Sequence, residues 1–116
     1  MDITSHVASL ASKSGVKNGI TTVYVPHTTA GVTINENADP SVMRDVGMAL
    51  DKMVLWVDPG YHHSEGNSAA HIKSSLMGCS ASIILRDGSL VLGTWQGIYF
   101  CEFDGPRHRK VYVNIS

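Results

Sequence analysis

The chain has 116 residues, a formal net charge of −1 and 43% hydrophobic residues, which fits one small globular domain and excludes a disordered chain. The near-neutral charge lacks the basic footprint of a nucleic-acid-binding protein, so no nucleic-acid partner is expected. No apolar run approaches the about 20 residues of a membrane span, so no membrane partner is expected either.

The first segment, Thr4 to Ser14, reads as a short helix, because Val7, Leu10 and Ala11 form an i, i+3, i+4 stripe. Thr4 or Ser5 is expected to cap it and Gly15 to end it. Ile20 to His27 is rich in β-branched residues and predicts a strand. If that strand stays regular, Val23, Val25 and His27 share a face. Gly31 to Asn35 predicts a second strand. Asp39-Pro40 then announces a helix, with Asp as cap and Pro at the first helical position; Met43, Val46, Leu50 and Met53 carry it to about Val54. Asp58-Pro59-Gly60 breaks the chain into a loop.

A third helix is predicted from Ser68 to Met77, capped by Asn67 or Ser68, stopped by Gly78 and striped by Ala69, Ile72 and Leu76. The last third reads as β. Ile83 to Arg86 and Ser89 to Leu92 flank Asp87-Gly88, a strong two-residue hairpin signal. Ile98 to Phe103 predicts another strand, Gly105-Pro106 a turn, and the alternation of Val111, Val113 and Ile115 a final strand. Mostly antiparallel strands with two or three helices define an α+β fold of sandwich-like sheets in a single domain, 1–116. Cys79 and Cys101 form no CxxC pattern and read as two buried thiols. The start, Met1-Asp2-Ile3-Thr4, lacks the regions of a secretory leader, so a cytoplasmic location is expected.

Six histidines stand out, and three of them, His27, His63 and His71, make the best candidate site. His71 falls at the start of the third helix, where the positive end of the dipole favours neutral imidazole, the form that ligates metal or accepts a proton. The free N–H groups there also suit an anion. His63 lies in the loop Tyr61-His62-His63-Ser64-Glu65-Gly66-Asn67 that feeds this helix, and His27 ends a strand. Three imidazoles with an open fourth position would suit a catalytic divalent metal. Their spacing is no known zinc signature, and the other reading is three separately hydrogen-bonded structural groups.

Glu36 and Asp45 are candidates for a general base or for positioning a metal-bound group; helix capping and turn chemistry account for the same segment. Trp95 and Gln96, set between Gly93 and Gly97, would line a pocket or an interface or fill the core. Arg107 follows a tight turn, where its planar fork suits a phosphate or carboxylate or simply meets solvent. The run Arg107-His108-Arg109-Lys110 is too short to argue for nucleic acid.

The stretches His27-Thr28-Thr29-Ala30, Ile34-Asn35-Glu36-Asn37, Tyr61-His62-His63, Gly66-Asn67-Ser68-Ala69-Ala70-His71-Ile72-Lys73, Gly93-Thr94-Trp95-Gln96 and Asp104-Gly105-Pro106-Arg107 resemble, in order and over nearly the whole chain, the YjbQ-like or secondary thiamine-phosphate synthase family. The resemblance implies a compact αβ fold in a homotrimer with sheets around the threefold axis. Its Tyr-x-His pattern falls on Tyr61 and His63, favouring His63 over His62. Members usually carry one more strand ahead of the Ile-Thr matching Ile3-Thr4, so a sheet edge is expected to be open here.

The family's described activity joins a pyrimidine pyrophosphate to a thiazole phosphate with loss of pyrophosphate. It implies a small phosphorylated substrate and a divalent metal, zinc or magnesium, on His27, His63 and His71. Arg107 would stabilise developing negative charge, and Asn37, Asn67, Ser68, Trp95 and Gln96 would bind ligand. The competing expectation is a non-catalytic trimer that captures an anionic metabolite.

Overall fold

The computed structural model describes residues 1–116. The elements are α1 (Thr4–Lys13), β1 (Gly19–Tyr24), β2 (Ala30–Glu36), α2 (Pro40–Met53), α3 (Ser68–Met77), β3 (Ser80–Arg86), β4 (Ser89–Leu90), β5 (Gln96–Glu102) and β6 (Tyr112–Ile115). One sheet has the order β4-β3-β1-β6 and a second pairs β2 with β5; all the pairings are antiparallel. The expected α+β architecture is therefore present. No helix is long and apolar enough to cross a membrane.

The two sheets share one core. Val23 and Val25 from one side meet Val32, Ile98 and Phe100 from the other, with Ile3, Val7 and Ile83 closing it. Each such aliphatic side chain contributes about 1.5–3 kcal/mol on burial. The β3–β4 turn is the predicted two-residue hairpin, with φ of 52° at Asp87 and 78° at Gly88, the double left-handed geometry that matches strand twist.

Several local expectations are corrected. First, β1 stops at Tyr24 rather than His27. The Val25 N–H donates to the Cys79 carbonyl (2.7 Å), and Pro26 has no N–H to continue a ladder. His27 thus sits in irregular chain beyond the sheet. Second, neither Thr4 nor Ser5 caps α1. The Asp2 carboxylate accepts from the Thr4 N–H (2.9 Å) and hydroxyl (2.5 Å), while Thr4 Oγ1 accepts the Ile98 N–H (2.8 Å).

Third, the inner face of α3 is not Ala69, Ile72 and Leu76. Ala69, Ala70, Lys73 and Ser74 are buried, while Ile72 and Leu76 are 38% and 59% exposed. Small side chains let α3 lie close on β2. Ser74 Oγ donates to the Ala30 carbonyl (2.6 Å), and a Cβ at Gly31 would come within 2.6 Å of the Gly78 carbonyl oxygen. The Lys73 ammonium is neutralised by Asp51 of α2. Asp39 caps α2 as expected, accepting the Ser41 N–H (2.9 Å), yet α2 has no fully buried residue. Of the two thiols expected inside, Cys79 is exposed and Cys101 half-buried.

The sheet edge expected to be open is partly covered by the first residues. The Met1 ammonium donates to the Phe100 carbonyl (2.8 Å), and the N–H groups of Phe100 and Ile3 donate to the carbonyls of Met1 and Ile98 (2.8 Å each).

Candidate functional site

The end of the molecule where β2 begins and β5 finishes gathers three irregular segments, Pro26–Thr29, the loop before α3 and the chain between β5 and β6, together with the first turns of α3. Backbone bonds join two of them, for the Phe103 N–H donates to the Thr29 carbonyl (3.1 Å). A mostly polar recess of about 390 Å³ opens there, with Pro26 in its wall. His27, His63, His71, Asn67, Arg107 and Arg109 all line it, together with Glu65 and the two threonines. The structure thus brings together the three candidate histidines, one candidate amide and the candidate arginine.

Each histidine is held differently. His27 Nε2 accepts the Lys110 backbone N–H at 2.8 Å, which anchors the ring to the chain leading into β6. His63 and His71 meet edge to face, with ring centroids 5.1 Å apart and planes at 88°, the geometry that a ring quadrupole favours. His71 lies one turn into α3, so its position follows from the packing of that helix on β2.

The two arginines divide the work. Arg109 donates through Nε to Glu102 Oε1 (2.8 Å) and through Nη2 to Glu102 Oε2 (2.5 Å) and Thr29 Oγ1 (2.8 Å). Its hydrogen bond to Glu102 holds that carboxyl below the ordinary glutamate range. Arg107, half exposed, donates through Nε to the Asp104 carbonyl (2.8 Å) and through Nη2 to Asp104 Oδ2 (3.0 Å). Asp104 also accepts from Asn67 Nδ2 (2.8 Å). The Asn67 amide and then the Arg107 guanidinium lower its pKa. Asn67 therefore spends its amide on this cross-link instead of capping α3, and its Oδ1 is buried without a partner. Nη1 of each guanidinium remains uncommitted, two donor groups beside one polar recess.

The donor set does not fit the expected three-histidine metal centre. No three His, Cys, Asp or Glu side chains of the chain converge as metal ligands, and His27 has its Nε2 occupied by a backbone donor. The recess instead sets three imidazoles beside two arginines, each ion-paired to its own carboxylate, and the Glu65 carboxylate.

The remaining candidates lie elsewhere. Glu36 pairs with Gln96 at the opposite end of the β2–β5 ribbon, about 20 Å along the strand from Ala30 at 3.3 Å per residue. Asn37 and Trp95 are at that same end, joined by an Asn37 N–H to Trp95 carbonyl bond (2.8 Å). Asp45 is exposed on α2, and Ser68 lines a neighbouring recess with His63 and His71. Arg109, Glu65 and Thr29 were missed as site residues. For Arg109 the signal was present: residues two apart in extended chain share a face, so a strand-like reading of Arg107-His108-Arg109 aims both arginines one way.

The family model for UPF0047 YjbQ-like proteins matches residues 1–116. A UPF0047 protein of Methanocaldococcus jannaschii is 58% identical over 117 residues, covering 99% of this chain and 83% of the relative. The UPF0047 protein YugU of Bacillus subtilis is 50% identical over 115 residues, covering 99% and 87%. Among solved structures, an uncharacterized YjbQ/UPF0047 family protein of Clostridium acetobutylicum superposes with a TM-score of 0.97 at 59% identity, over 100% of this chain and 89% of that one. A protein of unknown function from Sulfolobus solfataricus gives 0.94 at 35% identity, over 99% and 84%. On sequence and on fold together, the chain belongs to the UPF0047 YjbQ-like family.

Proposed function

We propose that the histidine recess binds the phosphoryl end of a small molecule and that His63 and His71 exchange protons with it. The observation that carries this reading is the pairing of two guanidinium groups with three imidazoles in one mostly polar recess. Uncommitted arginine donors suit phosphate oxygens, and an imidazole nearby supplies or removes a proton near neutral pH. The finer form of the proposal is the transfer that the family resemblance implies, thiazole phosphate displacing pyrophosphate from a pyrimidine. Arg107 would hold the departing anion there.

The test is product formation by purified protein given the two phosphorylated partners. Turnover that His71→Ala reduces at least a hundredfold supports the enzyme reading. Saturable phosphate binding without turnover, seen as a thermal shift, leaves a binding module instead.

The same proposal places the chain in a homotrimer. A compact domain of this length has a radius of gyration of about 13 Å; here it is 15.7 Å, with a longest axis of 52 Å. Trp95 is 62% exposed, and Leu55, Trp56 and Val57 form an exposed apolar run, which supports burial against further copies.

A further inference from the structure

His63 and His71 wall a second recess as well. It measures about 520 Å³ and is lined by Gly60, Tyr61, His62, Ser68 and Ile72 besides the two histidines. Its chemistry is opposite to that of the first: no Asp, Glu, Lys or Arg contributes, and most of its surface is carbon. The Tyr61 hydroxyl donates to the Leu55 carbonyl (2.7 Å), so this side chain offers a ring wall rather than a free donor. Ile72, whose spacing predicts a core position, instead points away from the core and stands 38% exposed at this recess.

The geometry points to a two-sided ligand site in which the His63–His71 pair is the partition. Resting on the phosphate reading above, it assigns the ligand a class: a phosphate ester whose other end is an uncharged, apolar, ring-sized group. The phosphate lies with Arg107 and Arg109, the apolar group lies against Tyr61 and Ile72, and the ester bond passes the two imidazoles. The space suffices, since a cavity of about 150 Å³ accommodates benzene. Covering Ile72 and the Tyr61 ring removes apolar surface from water. Of the two hydroxyls on that side, Tyr61 is committed to the Leu55 carbonyl, which leaves Ser68.

The experiment is calorimetric titration of the full chain with methyl phosphate and with phenyl phosphate, repeated on Ile72→Ser, Ile72→Val and Arg107→Ala. Phenyl phosphate is expected to bind at least tenfold more tightly than methyl phosphate. Ile72→Ser should cut that advantage at least threefold without changing methyl phosphate affinity, and Ile72→Val should retain it. Arg107→Ala should weaken both ligands alike. Equal affinities for the two esters, or an advantage untouched by Ile72→Ser, overturn the two-sided site while the phosphate reading stands. If neither ester binds, the phosphate reading itself fails and this inference goes with it.

Discussion

His27 Nε2 and the Lys110 backbone N–H meet at 2.8 Å across 83 positions of the chain. The bond clasps the end of the β1 segment to the start of the β6 segment, and Arg107 and Arg109 lie just before the clasp. A histidine at the rim of the recess therefore also fixes the irregular segment that carries the arginines. His27→Ala should lower stability by about 1 kcal/mol, the usual worth of one hydrogen bond, and weaken phosphate binding. His27→Gln, which retains an acceptor, should recover stability in urea denaturation more fully than it recovers binding.

Arg107 and Arg109 should separate cleanly. Arg109 is held by Glu102 and Thr29 with 11% of its side chain exposed, so Arg109→Ala should cost about 1–3 kcal/mol through the unpaired Glu102. Arg107 is half exposed, and Arg107→Ala should leave the unfolding midpoint nearly unchanged while reducing phosphate affinity at least tenfold. Urea denaturation and calorimetry on both variants check this. Equal stability losses would show that both guanidinium groups are structural.

Acid should weaken the fold through Glu102 and Asp104. Both carboxyls have folded pKa values below their ordinary ones, because of Arg109 for Glu102 and because of Asn67 and Arg107 for Asp104. A lowered folded pKa contributes stability that is complete above the unfolded value, about 4. That contribution is lost as pH falls through the folded value. Unfolding free energy measured from pH 6 down to pH 2 should decline over that window. Glu102→Gln should be less stable at pH 6 and should show a flatter decline.

Asn67→Asp distinguishes a cap from a cross-link. At an ordinary N-cap the two residues are nearly equivalent. Here the Asn67 amide donates to Asp104 Oδ2 and the residue is 6% exposed. The substitution replaces that bond with a buried carboxylate facing another, and should destabilise by about 1–3 kcal/mol. A thermal or urea midpoint equal to that of the parent chain would mean that α3 uses residue 67 only as a cap.

Assembly can be read directly. Light scattering should give three copies, and Trp56→Lys, placed in the exposed apolar run, should shift the mass toward the monomer. A monomeric parent chain would remove the trimer.

Most elements and the meeting of His63 with His71 were legible because local signals and tertiary demands agreed. Asp39-Pro40 capped a helix, Asp87-Gly88 turned a hairpin, and the loop before Ser68 carried His63 to His71. The failures share one physical cause, a tertiary partner that pattern alone does not reveal. Ile72 and Leu76 gave the better apolar stripe, yet the small residues of α3 face inward because β2 approaches closely there. Asn67 had the chemistry of a cap but found Asp104, 37 residues away. Glu36 and Gln96 sat in motifs as distinctive as those of the histidines, and only the course of β2 shows them at the other end of the ribbon.

The missing side chain at Gly31 has a mechanical meaning. The last carbonyl of the α3 segment rests on that bare backbone, with the Val32 N–H donating to Gly78 oxygen at 3.1 Å. Position 31 is thus a fulcrum and α3 a lever about 15 Å long at 1.5 Å per residue, with His71 on its far arm. A methyl group at the fulcrum would lift the near end and swing the imidazole off its mark against His63. The aim of His71 is set where no functional group exists.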